Sequence, residues 1–178
     1  MPGGFATTWE QRRLGEVFEE LSDKGRPELP ALSVVQGGGT VPRDKSERSL
    51  QYDKSGLSNY KVVGEGDFIS HLRSFEGGLE LATAAGLVSP AYYIFRGRNI
   101  NPIFYYAYFR SAQFIERALT PHVYGIRDGR SIDIEGMKTI LIPHPSFAEQ
   151  KAIGGLIRKL DSLITLHQRE RVEPGIII

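Results

Sequence analysis

Six arginines, Arg96, Arg98, Arg110, Arg117, Arg127 and Arg130, stand between positions 96 and 130 against two acids, Glu116 and Asp128. That is a local excess of four positive charges in a chain whose net charge is +1. A guanidinium binds phosphate bidentately and reads the O6/N7 edge of guanine, so arginines on flexible backbone can serve a nucleic-acid surface. The loop at 122–130 carries Tyr124, Arg127 and Arg130 behind a basic helix, and tyrosine can meet a phosphate or a thymine methyl. A second polar stretch, 41–58, supplies Arg43, Lys45 and Arg48 together with Gln51, whose amide can pair with adenine. A third, 72–78, exposes Arg73 and Ser74 beside a double glycine. Each has a plainer reading. Arg127 can pair with Asp128 or Asp133, and Asp44, Glu47 and Asp53 can neutralise the second loop to leave a solvated face.

Catalytic chemistry finds little support. There is no Gly-x-x-x-x-Gly-Lys phosphate loop, no Gly-x-Ser-x-Gly elbow and no His-Glu-x-x-His. The motif Asn/Asp-Pro-Pro-Tyr/Phe of adenine methyltransferases is missing as well. His71, His122, His144 and His167 fall in different elements, so no metal site is expected, and no cofactor. Gly37-Gly38-Gly39 fits a tight bend after a strand better than it fits an anion nest. The expectation is a protein without catalysis of its own.

The elements that must position these residues are short. Thr8 and Gln11 can close a capping box, which predicts a helical turn over 9–17; Leu14, Val17, Phe18 and Leu21 are at helical spacing, and the segment can also leave the helix as a strand. Residues 32–35 read as a strand, and 41–58 as a long loop. Residues 60–63 and 67–70 read as a hairpin about Gly64-Glu-Gly66, and 86–95 as a strand again. Asn101-Pro102 starts a helix that Pro121 ends. Its spacing places Phe104, Ala107, Tyr108, Ser111, Ile115 and Leu119 on one face, with Tyr106, Arg110, Gln113 and Arg117 opposite. Residues 132–142 are expected to return to the sheet.

The end of the chain is of another kind. Ser146 and Glu149 form a capping box, and Ile153, Leu156, Ile157, Leu160, Leu163 and Ile164 follow at spacings of three and four, the seam of a helix that packs on another helix. Two glycines near its start, Gly154 and Gly155, argue that it is not stable alone. The expected architecture is α+β: a mixed, mostly antiparallel sheet with a few helices over 1–145, a protruding coiled-coil-type helix over 146–172, and a tail over 173–178.

Composition fits this. With 40% hydrophobic and 24% charged residues the chain is globular rather than disordered. The absence of cysteine excludes disulfides, and no apolar run approaches the ~20 residues of a membrane span. Without a recognisable secretory signal, a cytoplasmic protein is expected.

Along most of its length the sequence resembles the specificity subunits of type I restriction-modification systems. The resemblance rests on Ile140-Leu-Ile-Pro-His-Pro145, Glu149-Gln150 and Leu160-Asp-Ser-Leu-Ile164 at the end, and on Gly4-Phe5 and Trp9-Glu-Gln-Arg-Arg-Leu-Gly-Glu-Val17 at the start. Between them lie Leu29-Pro-Ala-Leu-Ser-Val34, Val41-Pro-Arg43, Tyr60-Lys-Val-Val63, Gly66-Asp-Phe-Ile69, Leu72-Arg-Ser-Phe-Glu-Gly-Gly-Leu79 and Gly86-Leu-Val-Ser-Pro-Ala-Tyr92. The resemblance implies a target-recognition domain for double-stranded DNA, with no catalysis of its own. It also implies docking of methyltransferase subunits, which use S-adenosylmethionine, and of restriction subunits, which use ATP. Members carry two recognition domains and two antiparallel helices. One domain and one helix here suggest a half-length form that self-associates through its helix. The alternative is a truncated or silent allele acting only as an interaction or inert protein. On this reading Arg43, Lys45, Arg48, Arg73, Ser74, Arg110, Arg117, Tyr124, Arg127 and Arg130 are the DNA-binding candidates.

Overall fold

The computed structural model describes residues 9–43, 54–125 and 130–172. At its centre lies a four-stranded antiparallel sheet in the order β2 (Phe18–Leu21), β9 (Tyr93–Gly97), β6 (Phe68–Ser70), β7 (Glu80–Leu81). Side chains alternate across a strand, and here both faces are covered. Phe68 and Phe95 are register partners that face a large aromatic core, while Ile69 and Ile94, the next partners along, face a smaller aliphatic one. That is why these strands read as continuous apolar runs rather than as alternating ones.

The aromatic core is a chain of edge and tilted ring contacts. Phe18 meets Tyr105 at 5.1 Å and 90°, Phe68 meets Phe109 at 5.1 Å, and Phe109 meets Phe114 at 4.9 Å, separations at which aromatic quadrupoles attract. Tyr105 and Phe109 belong to α4 (Pro102–Phe109), capped by the Asn101 side chain, which accepts from Phe104 N at 3.0 Å. The smaller core joins Leu32, Val63 and Val88 from two flanking pairs. These are the hairpin β3 (Leu32–Val35) with β4 (Gly39–Pro42), and β5 (Lys61–Val63) with β8 (Gly86–Val88). Two further pairs are β10 (Val123–Tyr124) with β11 (Ser131–Ile132), and β1 (Gln11–Arg13) with β12 (Leu141–Pro143). Four short helices, α1 (Leu14–Val17), α2 (Lys54–Leu57), α3 (Ser74–Gly77) and α5 (Ile134–Lys138), and the 26-residue α6 (Phe147–Val172) complete the fold. It is the α+β arrangement that the sequence suggests.

Several local expectations are corrected. The helical turn expected over 9–17 is a strand followed by α1, with Arg13 at the N-cap and Glu16 accepting from Arg13 N at 3.3 Å. Gly64–Gly66 does not join a hairpin: β5 pairs with β8, and β6 with β7 and β9. The buried Asp67 makes the difference. It accepts from Gly64 N at 2.7 Å and holds Arg96 bidentately, both contacts at 2.7 Å, so the turn is organised by a side chain rather than by strand pairing. Residues 41–42, expected to open the long loop, belong instead to β4, and α5 interrupts 132–142, capped by Asp133 onto Gly136 N at 3.1 Å.

The helix from Asn101 also stops early. It ends at Phe109 and is followed by a π-helical stretch, Gln113–Leu119. Its buried residues are Phe104, Tyr105 and Phe109, so of the expected face Phe104 is buried, as is Leu119 beyond the helix, while Ala107 is exposed and Tyr108 and Ser111 are half-buried. Gly78 packs directly on the helix end, where a Cβ would lie 1.9 Å from Phe109 O. Ser111 Oγ donates to Tyr108 O at 2.6 Å, turning the chain locally.

Candidate DNA interface

Two loops far apart in sequence come together at one edge. The first runs from the end of β6 into α3. Ser70, His71 and Leu72 line a small cavity of about 50 Å³ together with Phe75, Ala91, Tyr93, Arg130, Ser131 and Ile132. The Arg130 guanidinium lies over the Phe75 ring at 5.7 Å, which ties the second loop to the first. Arg73, Tyr124 and Arg130 are exposed, Tyr124 by 59%, and Tyr124 pairs with Ser131 across the β10–β11 ribbon.

The first loop is held from beneath. Ser74 is fully buried, its Oγ accepts from His71 N at 2.8 Å, and its own N–H donates to His71 O at 3.0 Å. Ser74 therefore anchors the loop and has no surface to offer DNA, a correction to its place among the candidates. His71 Nδ1 accepts from Arg73 N at 3.3 Å, whereas its buried Nε2 has no partner. Burial holds the His71 pKa below the ordinary histidine value, with Glu80 opposing and Arg110 reinforcing the shift.

Arg110 is also reassigned. Its Nη1 meets the carboxylate of Glu80 at 3.1 Å, and its guanidinium lies over the Tyr106 ring. Glu80, 1% exposed, further accepts from Tyr106 OH at 2.7 Å, Gly37 N at 2.8 Å and Gly39 N at 3.1 Å. The triple glycine is thus a bend and an anion nest at once, and the anion is the protein's own. Burial, then the bond to Glu80, pushes the Tyr106 hydroxyl up to about 12. Arg110 completes this internal node rather than presenting a free charge.

Of the other candidates, Arg117 is exposed on the π-helical stretch, which packs on α3. Arg43 is half-buried, its guanidinium 5.9 Å from the Tyr60 ring centre. Lys45, Arg48 and Arg127 lie outside the described residues. Two residues at the converging edge went unnoticed in the sequence. Leu72 is 68% exposed, and Tyr93 sits at the exposed first position of β9 beneath Lys61 Nζ, 4.7 Å from the ring centre. Tyr93 shares its face of β9 with the buried Phe95, so the continuous apolar run of the strand does not mark it. Leu72 was marked only by being a lone aliphatic between His71 and Arg73.

The long helix leaves the domain from a built base. Tyr105 OH donates to Pro143 O at 3.1 Å and lies 2.8 Å from His144 Nδ1. Ser146 and Glu149 form the expected capping box. Gln150, buried, accepts from Asn101 N at 2.9 Å and donates to Pro145 O at 2.9 Å, so one side chain links the starts of α4 and α6. Gly154 is pressed on Asn101, where a Cβ would be 2.3 Å from Oδ1. Ile153 and Ile157 are half-buried, whereas Leu156, Leu160, Leu163 and Ile164 remain 50–62% exposed.

No family model matches the chain, and neither does any curated protein sequence. Solved structures do. The HsdS subunit from Thermoanaerobacter tengcongensis is similar over 97% of this chain and 42% of its own, with a TM-score of 0.59 at 18% identity. A chain from a structure concerned with complex assembly and conformational transition of the type I R-M system is similar over 97% and 43%, again with a TM-score of 0.59 at 18% identity. The chain has the fold of a specificity-subunit domain.

It spans less than half the length of either match. Within this specificity-subunit fold the exposed stripe of α6 begins where the domain's own cover ends. Ile153 and Gly154 touch the domain, and from Leu160 onward no described residue of α6 is buried. Among the described residues there is no cluster of metal ligands, and no helix is long and apolar enough to cross a membrane.

Proposed function

We propose that the chain is a sequence-specific DNA-binding specificity subunit of a type I restriction-modification system, without catalysis of its own. It would direct methyltransferase and restriction subunits to a target site. The observation that carries this reading is the meeting of the loop that bears the exposed Arg73 with Arg130 at one small cavity, which Tyr93 joins to the depression lined by Tyr124, on a fold matched by the HsdS subunit. Arginine and tyrosine on braced loops suit phosphate positioning and base-edge reading in the major groove. Arg117 and the loop around Arg43, with Lys45, Arg48 and Arg127, extend the basic surface in the proposal.

The second part of the proposal concerns α6. At 26 residues it reaches about 39 Å. Its stripe of Leu156, Leu160, Leu163 and Ile164 fits the matching stripe of a second copy, an isologous contact that would place two recognition domains on an inverted-repeat site. Methyltransferase subunits would dock on the same arm.

Selection of bound sequences from a random duplex pool, with and without methyltransferase subunits, tests both parts. A bipartite inverted repeat is the expected result. A single half-site would retain the reading domain and remove the pairing. No enrichment in either condition would leave the other reading, a chain that folds but directs nothing.

A further inference from the structure

Leu72 is the most exposed large apolar side chain among the described residues, at 68%. Single exposed leucines are common on protein surfaces, but this one occupies an unusual setting. The backbone beneath it is braced by His71 N to Ser74 Oγ at 2.8 Å, Ser74 N to His71 O at 3.0 Å and Glu76 N to Arg73 O at 2.9 Å, around the fully buried Ser74. The leucine is therefore held out on fixed backbone. Arg73 follows it directly, and Arg130 and Tyr93 line the same small cavity. Tyr93 also lines the neighbouring depression with the exposed Tyr124. Leu72 and Tyr93 thus share one depression with Arg130, Tyr93 and Tyr124 share the next, and the exposed Arg73 follows Leu72 in the chain. Of the acids beside it, Asp133 and Glu135 line the second depression, where Asp133 caps Gly136 N and Glu135 pairs with Lys138, and Glu76 lies in the first turn of α3.

An apolar edge beside arginines matches a duplex groove better than it matches another protein's hydrophobic patch. The arginines have phosphates to meet, and the apolar side chains meet base edges. A leucine has no donor or acceptor. The one base feature in the major groove that it can read is the C5-methyl group of thymine.

We propose that Leu72 is a specificity-determining residue that packs on a thymine methyl in the target site, with Arg73 and Arg130 fixing the loop on the flanking backbone. This rests on the DNA-reading function proposed above and deepens it by naming one base and the side chain that reads it.

The test uses the full chain and the duplex that selection returns, with each thymine replaced in turn by deoxyuridine, which lacks only the methyl group. Wild type should bind about fourfold more weakly at one position, the effect of one methyl-sized apolar contact. Leu72→Ala should bind the thymine and uracil duplexes equally at that position and keep the wild-type melting temperature, because the side chain is exposed. Selection with Leu72→Ala should relax preference at that base pair alone. If Leu72→Ala keeps the full sensitivity to uracil, or if no single uracil weakens wild type, the assignment is overturned. A uniform loss on all duplexes with Leu72→Ala would make the residue a wedge or a packing contact, and would overturn it equally. These failures leave a sequence-selective protein. Failure of the DNA-reading function itself is separate, because selection then returns no duplex, and the assignment falls with it.

Discussion

Arg110 Nη1 lies 3.1 Å from the carboxylate of Glu80, a side chain only 1% exposed, and the pair joins the end of α4 to the bend between β3 and β4. Four donors converge on that carboxylate, two of them backbone N–H groups of Gly37 and Gly39. A buried charge is tolerated when every lone pair is engaged, and removing one partner is costly because the other remains. Arg110→Ala should therefore destabilise the fold. Its guanidinium is about one-third exposed, so water relieves part of the loss and about 2 kcal/mol is expected rather than the ~3–5 kcal/mol of a wholly buried pair. Chemical denaturation checks this. A stability within about 0.5 kcal/mol of wild type, an ordinary surface effect, would return Arg110 to the surface arginines.

The two adjacent glycines of α6 should respond in opposite directions. At Gly154 a Cβ would lie 2.3 Å from Asn101 Oδ1, which is already committed to capping Phe104 N. Gly154→Ala should then cost about 1–3 kcal/mol, as overpacking does, or tilt the helix off its base. At Gly155 nothing lies within 4 Å, so Gly155→Ala should gain about 0.5–1 kcal/mol from helix propensity alone. Thermal melts of both variants decide it, and equal effects would deny the close approach at Asn101.

What could be read in the sequence was local. Asn101-Pro102 and Ser146 with Glu149 announce helix starts because capping is decided within four residues. The Glu80–Arg110 node could not be read, because its partners are thirty residues apart and the helical period carried Arg110 onto an outer face. The period fails where Gly78 packs on the end of α4, a contact that no local signal marks. Asp67 misled in the same way: Gly64-Glu-Gly66 looks like a hairpin until a buried carboxylate draws Arg96 across from β9. At the candidate edge, Arg73, Tyr124 and Arg130 are marked by residue type, whereas Leu72 carries no such mark because apolar residues are expected in cores.

Leu160→Glu should leave the domain folded, since Leu160 is half-exposed and beyond the residues that touch the domain. It should abolish any dimer by placing a carboxylate in the seam. Sedimentation gives the mass directly. An unchanged mass, either dimeric or monomeric in both proteins, would remove the seam from the proposal.

Arg73→Ala and Arg130→Ala separate reading from holding. If either arginine touches a base, the variant should lose about 1–3 kcal/mol on the selected site and relax preference at one base pair. If it touches phosphate, binding should weaken on every sequence and the salt dependence should become shallower by about one unit. Arg110→Ala is the control, because its loss should appear in unfolding before it appears in binding. An Arg130 variant that binds all duplexes as wild type does would take the 122–130 loop out of the interface.

His71 gives the pH dependence its sign. Its ring is half-buried, Nδ1 accepts from Arg73 N, and the buried Nε2 has no partner, so the folded protein resists a second proton. Its folded pKa lies below the ~6.5 of an unfolded chain. Above that value both states are neutral and the stability is fully present. As pH falls below it the unfolded chain takes up the proton first, and stability is lost toward the folded pKa. His144, depressed first by burial and then by Arg12, acts in the same direction. The melting temperature should therefore fall between about pH 7 and pH 5.5, before most carboxylates titrate. His71→Gln should flatten part of that fall, and His144→Gln a further part. A wild-type melting temperature that holds level across this window, or a slope that His71→Gln leaves intact, would show that the loop beneath Leu72 accepts the charge by opening His71 to solvent.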